Sequence, residues 1–353
     1  MPMEKIILLI VAALTCQVRG QCRFNFTDVS RSNGIFTYLD RGTLRPQISS
    51  VVGIGVGLAM HCGGGENHRT ICTTNSRLQP SLPLTCNAPA PESEVRLYEG
   101  DRSQHRDCPA TMYSVGHTIN GQFVKLYDAC YDTRTLRAHY TQASIYPKTI
   151  FMPRPEDIQF EPCPVMSPAE ARSFFRGAIH RRFNDIYGRA QNYIAPNRLV
   201  INRGHLTASS DFLFEPQSRS TFKYVNVVPQ FESINSGNWR EIERWVMSLR
   251  PTDTQMTVRT GAFGTLKLRD SRNKLRPAYL LDAQRNPVPK WMYKIIVRAD
   301  GTRYVFLTHN DIFHKPPGHQ FCTEVQCPIK LNRQLAAGVT FCCNPATFKV
   351  PGN

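Results

Sequence analysis

Twelve cysteines in 353 residues, eleven of them behind an apolar N-terminal leader, constrain this chain more than any other feature. Lys5, the apolar stretch Ile6 to Thr15 and small residues near Gly20 have the form of a signal peptide cleaved after about residue 20. The stretch is too short for a membrane span, and no later segment approaches the roughly 18 apolar residues that one requires. The expectation is a secreted, extracellular protein with no membrane partner. Export places the cysteines in an oxidising compartment, where they pair as disulfides. Loss of Lys5, Arg19, Glu4 and Cys16 changes the formal charge from +16 to +15 and leaves eleven cysteines, an odd count that leaves at least one thiol free or paired between chains. Asn25, Phe26 and Thr27 form a glycosylation sequon, as expected of a glycoprotein on this route.

Residues 21–105 are rich in Cys, Gly, Pro and Ser and contain one strand-like run, Val51 to Met60. They read as a small disulfide-rich β module. Gly53, Gly55 and Gly57 do not make a dinucleotide fingerprint, because Leu58 stands where a further glycine is needed and no helix pattern follows.

From residue 106 the pattern changes. Tyr113 to Ile119 and Gln122 to Tyr127 flank Asn120-Gly121, which predicts a two-residue hairpin; Cys108 and Cys130 lie outside it and could bridge its base, though sequence does not fix the pairing. Ser167, Pro168 and Glu170 open a helix predicted to run to Arg189, with Phe175, Ile179, Phe183 and Ile186 on its apolar face. Strand-like runs follow at 199–201, 224–228, 256–260, 292–297 and 304–308, with a helix at about 235–249 among them. The fold class expected is α+β with a mainly antiparallel sheet.

The chemistry concentrates in one stretch. Asn202, Arg203, Gly204 and His205 follow the apolar Leu199 to Ile201, a strand that delivers a polar cluster into a turn. Asn226, Pro229, Gln230, Asn235, Asn238 and Glu243 come next. Hydrolysis of a phosphodiester needs a base for water, positive charge on the phosphoryl oxygens and help for the departing oxygen. His205 offers the base near neutral pH, Arg203 a planar fork for phosphate, and Asn235 a hard neutral oxygen for Mg²⁺. In a regular helix Asn235 and Glu243 point about 80° apart and lie about 12 Å apart, so Glu243 would reach the metal's waters and not the ion. Each residue also has a structural reading: Asn238 with Glu241 makes a capping box, and Trp239, Ile242 and Val246 have the spacing of a core face.

The ordered set Asn202-Arg203-Gly204-His205, Asn226-x-x-Pro-Gln230, Asn235 and Glu243 resembles the DNA/RNA non-specific endonuclease family, and most nearly its secreted arthropod members that cut double-stranded nucleic acid. The resemblance implies a ββα-metal core over residues 106–353, with His205 as general base and Arg203 on phosphate. It implies Asn235 as the sole protein ligand of Mg²⁺ (Mn²⁺ or Ca²⁺ as substitutes), Glu243 beyond it, and Asn226 and Gln230 as shapers of the site. It further implies an endonuclease acting on DNA or RNA duplexes with little sequence specificity and leaving 5′-phosphate ends; no protein partner is expected. Asn202 departs from the motif's aspartate, which removes a negative charge near the metal. The alternative from another class is an inactive secreted protein that binds nucleic acid on this scaffold. Cys322, Cys327, Cys342 and Cys343 match no standard zinc spacing and are expected in disulfides.

Overall fold

The computed structural model describes residues 20–152, 158–162, 164–196 and 198–351. The stretch read above as a signal peptide lies outside them; among the described residues no helix is long and apolar enough to cross a membrane. A nine-stranded sheet forms the frame, in the order 324–325, 340–343, 303–309, 291–298, 256–263, 137–145, 122–132, 111–119 and 94–97. Every neighbouring pair is antiparallel. The α+β class with a mainly antiparallel sheet therefore holds.

The predicted hairpin closes as its turn residues require. Asn120 and Gly121 both have positive φ, 50° and 79°, as a type I′ turn needs. Cys108 and Cys130 are bonded to each other.

Residues 21–93 carry more strands than the sequence revealed. Ile35–Asp40, Thr43–Pro46, Gly57–His61, Asn67–Cys72 and Leu78–Gln79 form a five-stranded sheet, and Gln21–Arg23 pairs with Val51–Gly53. The run Val51 to Met60 is two strands in different sheets, because Gly55, at φ 79°, reverses the chain between them. Two disulfides, Cys22–Cys72 and Cys62–Cys86, lie in a core that Phe24, Phe36 and Met60 share with Phe214 from the second half. Phe214 stacks on Phe36 at 4.4 Å. Glu94–Leu97 crosses over to pair with the first hairpin strand and forms one edge of the large sheet.

The helix expected over 167–189 is interrupted. Ser167 and Glu170 do form the capping box at its start, but Pro168–Ala171 passes into a 3₁₀ turn, Arg172–Phe174, and Phe175 is extended. A second helix runs Arg176–Tyr187, ended by Gly188 at φ 95°. The break turns Phe175 outward: it is 52% exposed, while Phe174 takes the buried place in the core with Ile179 and Phe183.

Candidate active site

A two-stranded ribbon outside the large sheet carries the motif. Ile201–His205 pairs with Val227–Phe231, matching Asn202 with Gln230, Arg203 with Pro229, Gly204 with Val228 and His205 with Val227. The polar cluster is thus part of a strand, not of a turn after it: the partner strand extends the ladder through His205. Side chains alternate along a strand. Arg203 and His205 share one face of the ribbon, and Asn202 shares the other with Gln230.

Gly204 is required by that packing. A Cβ there would lie 2.3 Å from Gln230 Oε1 and 2.7 Å from Gln230 Cβ. Gln230 is fully buried, and neither its Oε1 nor its Nε2 has a hydrogen-bond partner among the described residues. Asn226, also fully buried, clamps the chain just after His205. Its Oδ1 accepts from Thr207 N at 2.8 Å, and its Nδ2 donates to Thr207 O and Thr221 O, each at 2.9 Å. Its backbone carbonyl accepts from Leu206 N.

The His205 imidazole lies among aromatic rings, 5.2 Å from Phe160 and 4.8 Å from Phe222. The Arg203 guanidinium sits 5.0 Å from the centre of the same Phe160 ring. Phe160 therefore touches both residues, a link that sequence could not signal because it comes from a loop more than forty positions earlier.

The chain leaves the ribbon directly into a helical segment, tied back by Glu232 N to Val200 O at 2.8 Å. One turn, Glu232–Ile234, is followed by a wide π turn, Asn235–Trp239, and then the α-helix Arg240–Ser248. Gly237 leaves helical geometry, with ψ −125°, and a Cβ on it would meet Ala337 O at 2.8 Å. Asn235 is half-buried, and its side chain has no hydrogen bond among the described residues. Asn238 is not the cap of a capping box: it is bonded to Asn332 N, Asn332 O and Gly338 O. The C-terminal segment that it grips is knitted by Cys322–Cys343 and Cys327–Cys342, so those cysteines are disulfides. Ten cysteines are paired in the described residues; Cys16 and Cys163 lie outside them.

Trp239, Ile242 and Val246 are buried, as their spacing indicated. Glu243 faces inward beside them, and burial pushes its carboxyl up to about 7. Lys294 opposes that rise, Asp211 adds to it, and the Trp239 indole favours the ionised form. Among the described residues one set of three His, Cys, Asp or Glu side chains is close enough to share a metal ion, Cys62, Glu66 and His68, and the Cys62 disulfide disqualifies it.

Residues 108–348 match the sequence model of the DNA/RNA non-specific endonuclease family. The chain belongs to that family. The nuclease is 24% identical to a salivary endonuclease of Lutzomyia longipalpis, over 84% of this chain and 72% of that one. It is 24% identical to salivary protein Tsal2A of Glossina morsitans morsitans, over 97% and 94%. It is 23% identical to a salivary endonuclease of Culex quinquefasciatus, over 79% and 76%. A solved EndoG/EndoGI complex overlaps 53% of the nuclease and 73% of the solved chain at 23% identity, with a TM-score of 0.36.

Proposed function

We propose that this nuclease is a secreted, Mg²⁺-dependent endonuclease that cuts the backbone of double-stranded DNA or RNA with little sequence specificity, leaving 5′-phosphates. The observation that carries the reading is the ribbon: Arg203 and His205 project from one face of it, and the helical segment bearing Asn235 and Glu243 follows it without a loop.

His205, as neutral imidazole, accepts the proton of the water that attacks phosphorus. Arg203 has no ion pair among the described residues, so its guanidinium is available for the phosphoryl oxygens. Asn226 fixes the backbone behind His205. The Asn235 amide oxygen, hard and without a hydrogen-bond partner among the described residues, fits Mg²⁺, which prefers oxygen and keeps most of its waters. When bound there, the ion would supply positive charge for the phosphoryl oxygens and for the departing 3′ oxygen.

With an ion held there, Glu243 would accept hydrogen bonds from its waters. A π turn takes up one residue more than an α turn. The regular 80° offset of Asn235 and Glu243 therefore does not apply, because the π turn and the non-helical Gly237 lie between them. Asn202 in place of aspartate leaves less negative charge nearby, so metal binding is weaker than with the acid.

Residues 1–20 serve as the signal peptide, 21–105 as an accessory module and 106–353 as the nuclease domain. Asn25, exposed at the head of a short helix, is the glycan acceptor. The mature charge of +15 favours contact with the phosphate backbone through counterion release.

Plasmid degradation with Mg²⁺, with chelator, and by Asn235→Ala tests the reading. The expected results are chelator-sensitive cutting and an apparent Mg²⁺ affinity for Asn235→Ala reduced by at least about tenfold. Cutting that persists undiminished in chelator would refute it.

A further inference from the structure

We propose that Lys294 is a positioning residue of this nuclease: its buried ammonium is the counter-charge that holds the Glu243 carboxylate ready beside Trp239. The inference rests on the role given to Glu243 above.

Lys294 lies in the strand Trp291–Arg298 among buried Met292, Tyr293 and Ile296 and is itself 1% exposed. A lysine charge in such surroundings is unfavourable unless other groups compensate it. Two groups hold it. Nζ donates to Thr260 Oγ1 at 2.6 Å from the paired position on the next strand, and it sits 5.1 Å from the centre of the Trp239 ring. Trp239, Glu243 and Met247 succeed one another at intervals of four along the helix, so they form one row. At the far end of the row the buried Lys148 touches Met247 Sδ at 3.4 Å and donates to Asp211 O at 2.7 Å. Glu243 thus stands between two helix positions, each in contact with a buried ammonium, with the Asp211 carboxylate also acting on it. Of these groups Lys294 favours the charged Glu243 most strongly, against burial and Asp211.

Lys294→Met keeps the length and apolar stem and removes the charge. The metal-free protein, with ¹³C-labelled glutamate carboxyls and the Glu243 signal identified by its loss in Glu243→Gln, gives the first readout. Its titration midpoint should rise by at least about one pH unit. In cleavage assays Lys294→Met should lower kcat about tenfold at pH 7 and recover by pH 9, and should cost nothing further in the Glu243→Gln background. Thr260→Val, which removes only the hydroxyl under Nζ, should move both readouts the same way by less, and it serves as the test should Lys294→Met fail to fold. An unmoved midpoint, or an equal loss with and without Glu243, overturns the proposal. Full activity of Glu243→Gln itself would instead overturn the role assigned to Glu243.

Discussion

The rings of His205 and Phe160 lie 5.2 Å apart, with their planes 52° from each other, and the same phenyl ring carries the Arg203 guanidinium at 5.0 Å. One side chain therefore limits the freedom of both groups assigned to the phosphate. Phe160→Leu keeps an apolar contact but removes the flat surface. It is expected to lower kcat about tenfold through loosened geometry, with a smaller change in KM. Steady-state cleavage rates across substrate concentration check this; an unchanged kcat would show that the ring only fills space.

Gly204 and Gln230 form a second such pair. Gly204→Ala places a methyl group against the Gln230 side chain, and a buried ribbon has little room to yield, so a loss of about 1–3 kcal/mol is expected. Gln230→Ala in the same molecule removes the obstacle and should restore most of that stability. Urea denaturation of the two single variants and the double variant measures the coupling. Additive losses would mean that the clash is relieved elsewhere.

Stability should depend on pH in two opposed ways. Glu243 titrates at about 7 in the folded chain against an ordinary value of 4.5, because burial disfavours its charge. The stability it contributes is full below about 4.5 and is lost as pH rises through about 7. Its size is on the order of 2 kcal/mol after allowance for partial exposure. His117 is held by burial at about 4 against 6.5, so its contribution is present above 6.5 and is lost as pH falls through about 4. Melting of metal-free protein across pH 4 to 8 should show that Glu243→Gln removes a downward slope above pH 4.5, leaving the acid-side loss in place. Parallel curves for wild type and Glu243→Gln would contradict the assignment.

Much of the candidate site's layout was legible because its residues are local in sequence. Asn202, Arg203 and His205 sit within four residues, and the Asn226 to Gln230 segment is their cross-strand partner, so one ribbon reproduces the order of the motif. The hairpin at Asn120-Gly121 and the capping box at Ser167 were legible for the same reason: turn and cap chemistry acts over two to four residues. The failures are where distant contacts prevail. Asn238 and Glu241 have the spacing of a cap, yet a disulfide-bonded segment almost a hundred residues away claims Asn238 and leaves a π turn at Gly237. The strands of the N-terminal module are only two to six residues long, with two disulfides in their core, so no sustained alternation marked them. Phe160, Lys294 and Asp211 reach the site from three separate elements and carry no shared pattern.

The central claim is that His205 removes the proton from the attacking water. Single-turnover cleavage of a labelled DNA duplex by wild type and His205→Ala at saturating Mg²⁺, with duplex binding measured in parallel, tests it most directly. The account predicts a rate loss of about a thousandfold or more with duplex affinity within about threefold of wild type, and partial recovery on adding free imidazole. Cleavage by His205→Ala within a few-fold of wild type would contradict it.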